Sequence, residues 1–559
     1  MCSICGGNYP LDLVKKASDC MAHRGPDFSA TFSDENIALA HNRLSIIDLD
    51  SHANQPFISS VCPHLVLLFN GEIYNYLELQ SELKMEGFSF LTQSDTEVLL
   101  YAFYLWGEKC LQKLNGDFAF VVYDKRDKSL FLARDRFGNK PLFYTLLKNR
   151  IFFASEIKAF LELGGVSFDD EEVAKWLLFS NGDSKKTVYK DILPFPHAHF
   201  GWFRDEKLKI ERYWGLKISH KKSDEKEVLE ELESLLLDSL KLRLRSDVPA
   251  ALCVSGGVDS SILAHLTKKL NVDCQFFSIS FKDFKGADES AFIKLLQKDL
   301  DCEITLFNAS LDSIKTDFSK LVFGQDEIFR SFSIYLQYLL FREVARTHKV
   351  VLDGQGADEL FGGYYHYVGR YIYANRGEFE NRVREYGNVA FSEYDFGLKC
   401  SLSDELKLKI FEEDNARNVE KLIKMGLSAP SMENLLRRFL LDFSQGLYLD
   451  TMEFNLPNLL RYGDRNAMTH SMENRTPFTD FRVVEFAFSL GENLKINKGF
   501  SKYILRLLLD RLGSKSLAWR KDKVGFGAPE RDLMQKLGYN FESIFDVRVE
   551  IFGKLSTRL

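Results

Sequence analysis

No stretch of the chain approaches the roughly 18 consecutive apolar residues of a membrane span. Met1-Cys2-Ser3-Ile4-Cys5-Gly6-Gly7 offers neither the basic start nor the apolar core of a secretory signal. Positive charge is not in excess: 73 Lys and Arg against 80 Asp and Glu leave a net charge of −7, which disfavours a nucleic-acid partner. A disulfide framework is missing too, because the nine cysteines are odd in number and scattered (2, 5, 20, 62, 110, 253, 274, 302 and 400). Cys2-x-x-Cys5 cannot close a zinc site, since no second CxxC or neighbouring HxxxH supplies the remaining ligands. Neither an internal repeat nor a low-complexity tract is present. With 45% hydrophobic and 27% charged residues among 559, what remains is a cytoplasmic enzyme or large binding protein with no membrane partner. Its length predicts about two to four domains.

The first two hundred residues read as β-rich. Strand-like runs occur at His64–Phe69, Phe118–Tyr123, Leu130–Ala133 and Ile151–Ala154, and helical spacing predicts a helix over Thr96–Leu111 behind a cap at Ser94 or Asp95. A charged stretch, Lys217–Glu227, then interrupts the pattern, and Asp224 with Glu227 reads as a capping pair for a helix over Val228–Leu244. Beyond it, apolar runs at Pro249–Val254, Cys274–Phe281 and Val350–Leu352 alternate with helical patterns at Ser260–Leu270 and Ser290–Leu300, which argues for a parallel α/β sheet. After Gly363 the chain reads as mostly helical.

Ser255-Gly256-Gly257-Val258-Asp259-Ser260-Ser261 lies between a predicted strand and a predicted helix. Glycines let backbone approach a ligand closely, and amide groups at a helix start favour an anion. The segment is neither GxxxxGK[ST] nor GxGxxG. It resembles the PP-loop of ATP pyrophosphatases, which cleave ATP between the α and β phosphates. At the other end of the chain, Cys2 follows an initiator Met whose removal leaves a thiol beside a free α-amine, and an amine of pKa about 7.7–8.0 can serve as base. With Arg43 in HNRLSIIDL, Asn70-Gly71-Glu72 in FNGEIYNY and Asp95 in SDTEVLL, it resembles a class II, N-terminal-nucleophile glutamine amidotransferase domain.

The two modules in this order resemble the glutamine-hydrolysing asparagine synthetase family over nearly the whole chain. Further matches are AHRGPD (Ala22–Asp27), LNGDFAF (Leu114–Phe120), RDRFGNKPLFY (Arg134–Tyr144), FASEIKA (Phe153–Ala159), DGQGADELFGGY (Asp353–Tyr364), LLRYGDRNAMTHSMENRTPF (Leu459–Phe478) and SKYILR (Ser501–Arg506). The resemblance implies an α+β N-terminal-nucleophile glutaminase domain, a layered β-sandwich with helices, at residues 2–205. A linker at 206–227 and an α/β PP-loop domain with a parallel sheet and a helical C-terminal part at 228–559 follow. It implies Cys2 as nucleophile on the glutamine amide, and Asn70 with the Gly71 N–H as oxyanion hole. Glutamine would be bound by Arg43, Leu44, Ile46, Glu72 and Asp95. ATP would be bound by Cys253, Ser255, Gly256, Gly257, Val258, Asp259, Ser260, Ile279, Asp353, Gly354, Lys502 and Lys523. Gln355 and Lys502 are the expected catalytic positions there, and Asp259, Asp288 and Asp358 the expected Mg²⁺ ligands. A homodimer is the implied assembly.

The chain departs from the family pattern in three places. Ser3 stands where Gly is usual. Gln355 stands where several relatives carry Glu or Asp, and a glutamine cannot accept a proton. Asp326–Ser333 follows the acceptor-binding stretch only loosely: Phe329, Arg330 and Phe332 replace small residues, and Arg330 with Ser331 either clamps an acceptor carboxylate or leaves Arg330 to pair with Glu327. Three functions follow: asparagine synthesis from aspartate, ATP and glutamine; amidation of another carboxylate such as a sugar acid; or an inactive regulatory paralogue.

Overall fold

The computed structural model describes residues 2–221, 224–280, 288–431, 436–521, 530–538 and 543–559. Eleven strands build its amino-terminal part: β1 (Ser3–Gly7), β2 (Phe28–Ser33), β3 (Ala38–Arg43), β4 (Leu65–Ile73), β5 (Gly116–Asp124), β6 (Ser129–Arg134), β7 (Phe143–Leu147), β8 (Arg150–Ala154), β9 (Leu193–Pro194), β10 (His199–Arg204) and β11 (Lys207–Arg212). They form two antiparallel sheets, β2-β3-β1-β8-β7-β9 and β11-β10-β6-β5-β4. Alternation of side chains decides the layering. Ile4, Leu39 and Phe153 of the first sheet pack against Val66, Leu68, Val121 and Leu132 of the second. The opposite faces, with Cys5 and Phe152 on one sheet and Phe69 and Phe120 on the other, take helices: Leu11–Asp19 beside the first and α1 (Asp95–Trp106) beside the second. This is the layered sandwich expected. Ser94 caps α1 by accepting from the Glu97 N–H, but the helix ends at Trp106 rather than Leu111 because Gly107 turns left-handed (φ 57°).

The linker starts later than expected. Asp205 and Glu206 both have positive φ, 48° and 61°, the geometry of a two-residue hairpin turn. That turn folds Lys207–Arg212 back as β11 onto β10, so residues 207–212 belong to the sandwich rather than to a linker.

Asp224 accepts from the Glu227 N–H and opens α2 (Glu225–Arg243). A parallel sheet follows, built from β12 (Ala250–Cys253), β13 (Cys274–Ser280), β14 (Ile304–Asn308), β15 (Val350–Leu352) and β16 (Glu473–Arg475) in the order β14-β13-β12-β15-β16. The chain runs outward from β12 in one direction, then returns to place β15 on its other side, so the loops after β12 and β15 flank a switch point where such sheets bind ligands. Around the sheet lie α3 (Val258–Leu270), α4 (Ser290–Leu300), α5 (Ala357–Phe361), α6 (Leu456–Met468) and α7 (Tyr503–Arg511). All nine cysteines are free thiols. Among the described residues no helix is long and apolar enough to cross a membrane.

Candidate active sites

The amino-terminal centre is assembled where β1 and β4 begin and end. The Cys2 N–H donates to Asn70 Oδ1 at 3.1 Å, and the Arg24 Nε donates to the Cys2 carbonyl at 3.1 Å. Holding Asn70 by its oxygen leaves Nδ2 buried with no partner. Buried polar groups are nearly always paired, so an idle amide donor on a side chain that holds the Cys2 backbone suits an oxyanion absent from the free protein. Gly71 is required by its neighbour strand: at φ 151°, a Cβ there would lie 2.1 Å from the Asp117 carbonyl oxygen. Burial pushes the Cys2 thiol up, against the pull of the amino-terminal charge, the Leu44 N–H and Arg43. Ser3 causes no crowding, since its hydroxyl accepts from Asn42 Nδ2 at 2.8 Å.

Glu72 and Asp95 come together beneath this centre. Asp95 accepts from the Ile73 N–H at 2.9 Å, and Glu72 Oε2 is buried without a partner. Burial pushes the Asp95 carboxyl up to about 6. It raises Glu72 further, reinforced by Asp95 and Glu473 and opposed by Arg475, whose Nη2 stands 3.6 Å from Glu72 Oε1. Two buried carboxyls so close together disfavour one another's ionisation. Arg43 is tied into its own loop, donating to the Asp50 carbonyl and Asn54 Oδ1, each at 2.8 Å, and to the Asp48 carbonyl. Leu44 and Ile46 are core residues, and the Ile46 carbonyl accepts from the Asp247 N–H at 2.9 Å.

The second centre lies at the switch point. Gly256 takes φ 67° against Phe292, and Gly257 caps α3. The loop is closed by Ser255, whose N–H donates to Ser260 Oγ at 3.0 Å, while Arg520 donates to the Gly256 carbonyl at 3.2 Å. Lys502, itself left-handed (φ 53°) at the start of α7, places Nζ 2.6 Å from both Asp259 Oδ2 and Asp358 Oδ1. Burial works against that ammonium, yet the two carboxylates hold Lys502 above its ordinary value. Gly363 makes the contact sterically feasible: a Cβ there would sit 1.8 Å from Asp358 Oδ1 and 2.2 Å from Lys502 Cε. Gly354 packs on Asp259, and Asp353 accepts from the Gln355 N–H at 3.1 Å. Cys253 and Ile279 sit on adjoining strands beside the loop, and Val258 is buried in the first turn of α3.

Some expected groupings are not formed. Asp288 accepts from the Ser290 hydroxyl and N–H instead of joining Asp259 and Asp358, and among the described residues no three His, Cys, Asp or Glu side chains gather as metal ligands. Glu327 pairs with Arg461, so the Arg330–Glu327 alternative fails. Arg330 instead donates to the Ser180 and Phe454 carbonyls at 3.0 and 2.8 Å and to Asn455 Oδ1, while Ser331 bonds Ser333. Lys523 lies outside the described residues.

Sequence reasoning missed Arg24, Asp464, Glu473, Arg475 and Glu359 as individuals. All lie inside the quoted motifs, but only the fold shows that these charged groups are buried, with Arg24 paired to Asp464 and Arg475 to Glu473.

A model described as a glutamine amidotransferase domain matches residues 1–214, and one described as asparagine synthase matches residues 231–549. The chain is 29% identical to "Asparagine synthetase [glutamine-hydrolyzing] 1" of Bacillus subtilis, over 95% of this chain and 87% of that protein. It is 28% identical to a second B. subtilis protein, "Asparagine synthetase [glutamine-hydrolyzing] 3", over 93% and 86% of the respective chains. It is also 28% identical to "Amidase chyE" of Penicillium rubens, over 89% and 82%.

Proposed function

Because the chain belongs to the asparagine synthase family, we propose that it transfers the amide nitrogen of glutamine to aspartate activated by ATP, releasing asparagine, glutamate, AMP and pyrophosphate. One observation carries the reading: the idle Nδ2 of Asn70, whose oxygen holds the Cys2 N–H, coexists in one chain with Lys502 clamped at the glycine loop. The Cys2 sulfur attacks the glutamine amide carbon, its proton passes through a base to the leaving nitrogen, ammonia departs as the thioester forms, and water then hydrolyses the thioester to release glutamate and the free thiol. Asn70 Nδ2 and the Gly71 N–H receive the oxyanion, each donor contributing about 3 kcal/mol. Asp95 and Glu72 hold the α-ammonium, and Arg43 the α-carboxylate.

At the second centre, Ser255–Ser260 cradle the phosphates and Lys502 offsets charge on departing pyrophosphate. Asp259 and Asp358 suit Mg²⁺, which takes one or two carboxylates with phosphate and water, and Asp259 Oδ1 is buried without a partner. The ion, when bound, would neutralise phosphate charge there.

A second acceptor class is favoured by one feature. Phe329 and Phe332 are buried and Arg330 is engaged by Asn455, so the stretch expected to bind the acceptor departs from the family pattern in shape as well as charge. One experiment separates the readings: amide-labelled glutamine with ATP and Mg²⁺, with and without aspartate, following label and AMP. Label in asparagine with stoichiometric AMP supports the first. AMP formed only with another carboxylate supports the second, and ADP would refute both.

A further inference from the structure

We propose that Arg438, set against Arg330 and Arg370 beside the π-helical turn Asp450–Phe454, anchors a binding site for an oxyanion, a carboxylate or a phosphate group. The site stands on its own geometry; only the source of the anion rests on the function proposed above.

Three arginines converge there without a carboxylate. Arg330 commits its guanidinium to the Ser180 and Phe454 carbonyls and to Asn455 Oδ1. Arg370, buried on the helix Tyr365–Ala374, donates to the carbonyls of Leu440 at 2.7 Å, Arg438 at 2.6 Å and His366 at 3.2 Å. Its grip on the Arg438 carbonyl fixes the short turn Arg437–Phe439 that carries Arg438. The half-buried Arg438 guanidinium lies 5.7 Å from the Phe454 ring centre and has no hydrogen bond or ion pair among the described residues. Its neighbour Arg437 is exposed and paired with Glu453 at 2.8 Å.

The acids of this neighbourhood are already engaged. Asp450 accepts from His366 Nε2 at 3.0 Å and from the Tyr367 hydroxyl at 2.8 Å, while Glu359 meets Arg330 only through Asn455. Burial and Arg330, with Arg370 adding and Asp450 opposing, push the Arg438 guanidinium down to about 10. A cation drawn in among like charges costs stability unless an anion completes the cluster. Its planar fork of N–H donors matches the oxygens of carboxylate or phosphate. π-Helical turns, moreover, are rare and concentrate at functional sites. Through Asn455 and Glu359 the cluster is contiguous with α5, which carries Asp358 of the second centre. A second acidic group on the acceptor is therefore one source of the anion, and a free anion is the other.

The test uses the full chain, with orthophosphate and succinate as probes. Each is titrated calorimetrically into wild type, Arg438→Gln, Arg438→Lys and Arg437→Gln. At least one probe should bind wild type and Arg437→Gln alike, and bind Arg438→Gln about 10- to 100-fold more weakly, the usual worth of hydrogen bonds to a charged group. Arg438→Lys, which keeps the charge and loses the fork, should recover part of that binding. Without probe, Arg438→Gln should melt no lower than wild type, because it loses an uncompensated cation. Binding of neither probe, equal binding by wild type and Arg438→Gln, or a lower melting point for Arg438→Gln in probe-free buffer would overturn the site. Ammonia-dependent turnover then identifies the source, with whichever carboxylate supports AMP formation. A KM for that carboxylate at least about 10-fold higher in Arg438→Gln, with succinate competing in the wild type, assigns the anion to the acceptor. An unchanged KM with probe binding lost assigns it to a free anion. Wild type that forms AMP with no carboxylate would remove the function proposed above and leave the probe result standing.

Discussion

Arg24 and Asp464, 440 residues apart, meet in a two-pronged ion pair with Nη1–Oδ2 at 2.8 Å and Nη2–Oδ1 at 3.0 Å. The same guanidinium reaches Glu156 at 2.7 Å and donates to the Cys2 carbonyl. The Cys2 backbone is therefore held by an arginine whose other anchor is α6 of the second domain. Asp464→Ala should destabilise the protein by about 3 kcal/mol, since it strips a buried cation of one partner. It should also lower glutamine-dependent turnover more than ammonia-dependent turnover. Equal loss with both nitrogen sources would show that Asp464 acts on the second centre instead.

Cys2→Ala should abolish use of glutamine while leaving ammonia-dependent synthesis. Asn70→Ala should lower glutamine hydrolysis by about 100- to 1000-fold in kcat, the usual cost of one oxyanion donor. Because Asn70 Oδ1 also accepts from the Cys2 N–H, Asn70→Asp is the sharper variant: it keeps the acceptor and removes the donor. Hydrolysis at wild-type rate by Asn70→Asp would exclude the oxyanion role.

Both centres were legible where the chemistry sits in short, ordered strings. Cys2, Asn70-Gly71 and the Ser255–Ser260 loop lie where their motifs place them, because a strand end and a helix start are local features with local signals. The expectations that failed depended on partners outside the segment itself. Lys207–Arg212 carries charge at alternate positions and looked like linker, but two left-handed residues and the edge of β10 make it a strand. β16 is three polar residues, Glu473–Arg475, held in the sheet by β15 and not by its own composition. Arg330 could not be assigned from sequence because Asn455 and Arg461, which settle its and Glu327's partners, arrive more than 120 residues later.

The Asp95–Glu72 pair predicts a trade between stability and binding. A carboxyl held at about 6 in the fold but near 3.9 when unfolded binds its proton more tightly in the native state. Stability therefore falls as pH rises from about 4 to 6 and stays low above that window. Asp95→Asn removes the ionisation and can still accept from the Ile73 N–H. It should raise stability at pH 7.5 by up to about 3 kcal/mol, a gain that fades near pH 4, while weakening glutamine binding. Denaturant melts across that range check the sign; an unchanged midpoint at pH 7.5 would mean the pair carries no buried charge.

Gly363 gives the most selective probe of the second centre. Its missing side chain is what admits the Lys502–Asp358 contact, so Gly363→Ala must push apart the ammonium and carboxylate by more than an ångström. A displacement of that size at a reacting group costs on the order of 100-fold. Pyrophosphate exchange should fall by that factor while glutamine hydrolysis at Cys2 persists, because the atoms that a Cβ at Gly363 would meet first belong to Asp358 and Lys502 of the second centre. Lys502→Met should reproduce the loss of exchange without the steric clash. If Gly363→Ala kept full exchange, Lys502 would not need to reach Asp358 for adenylation, and its place at the pyrophosphate would have to be given up.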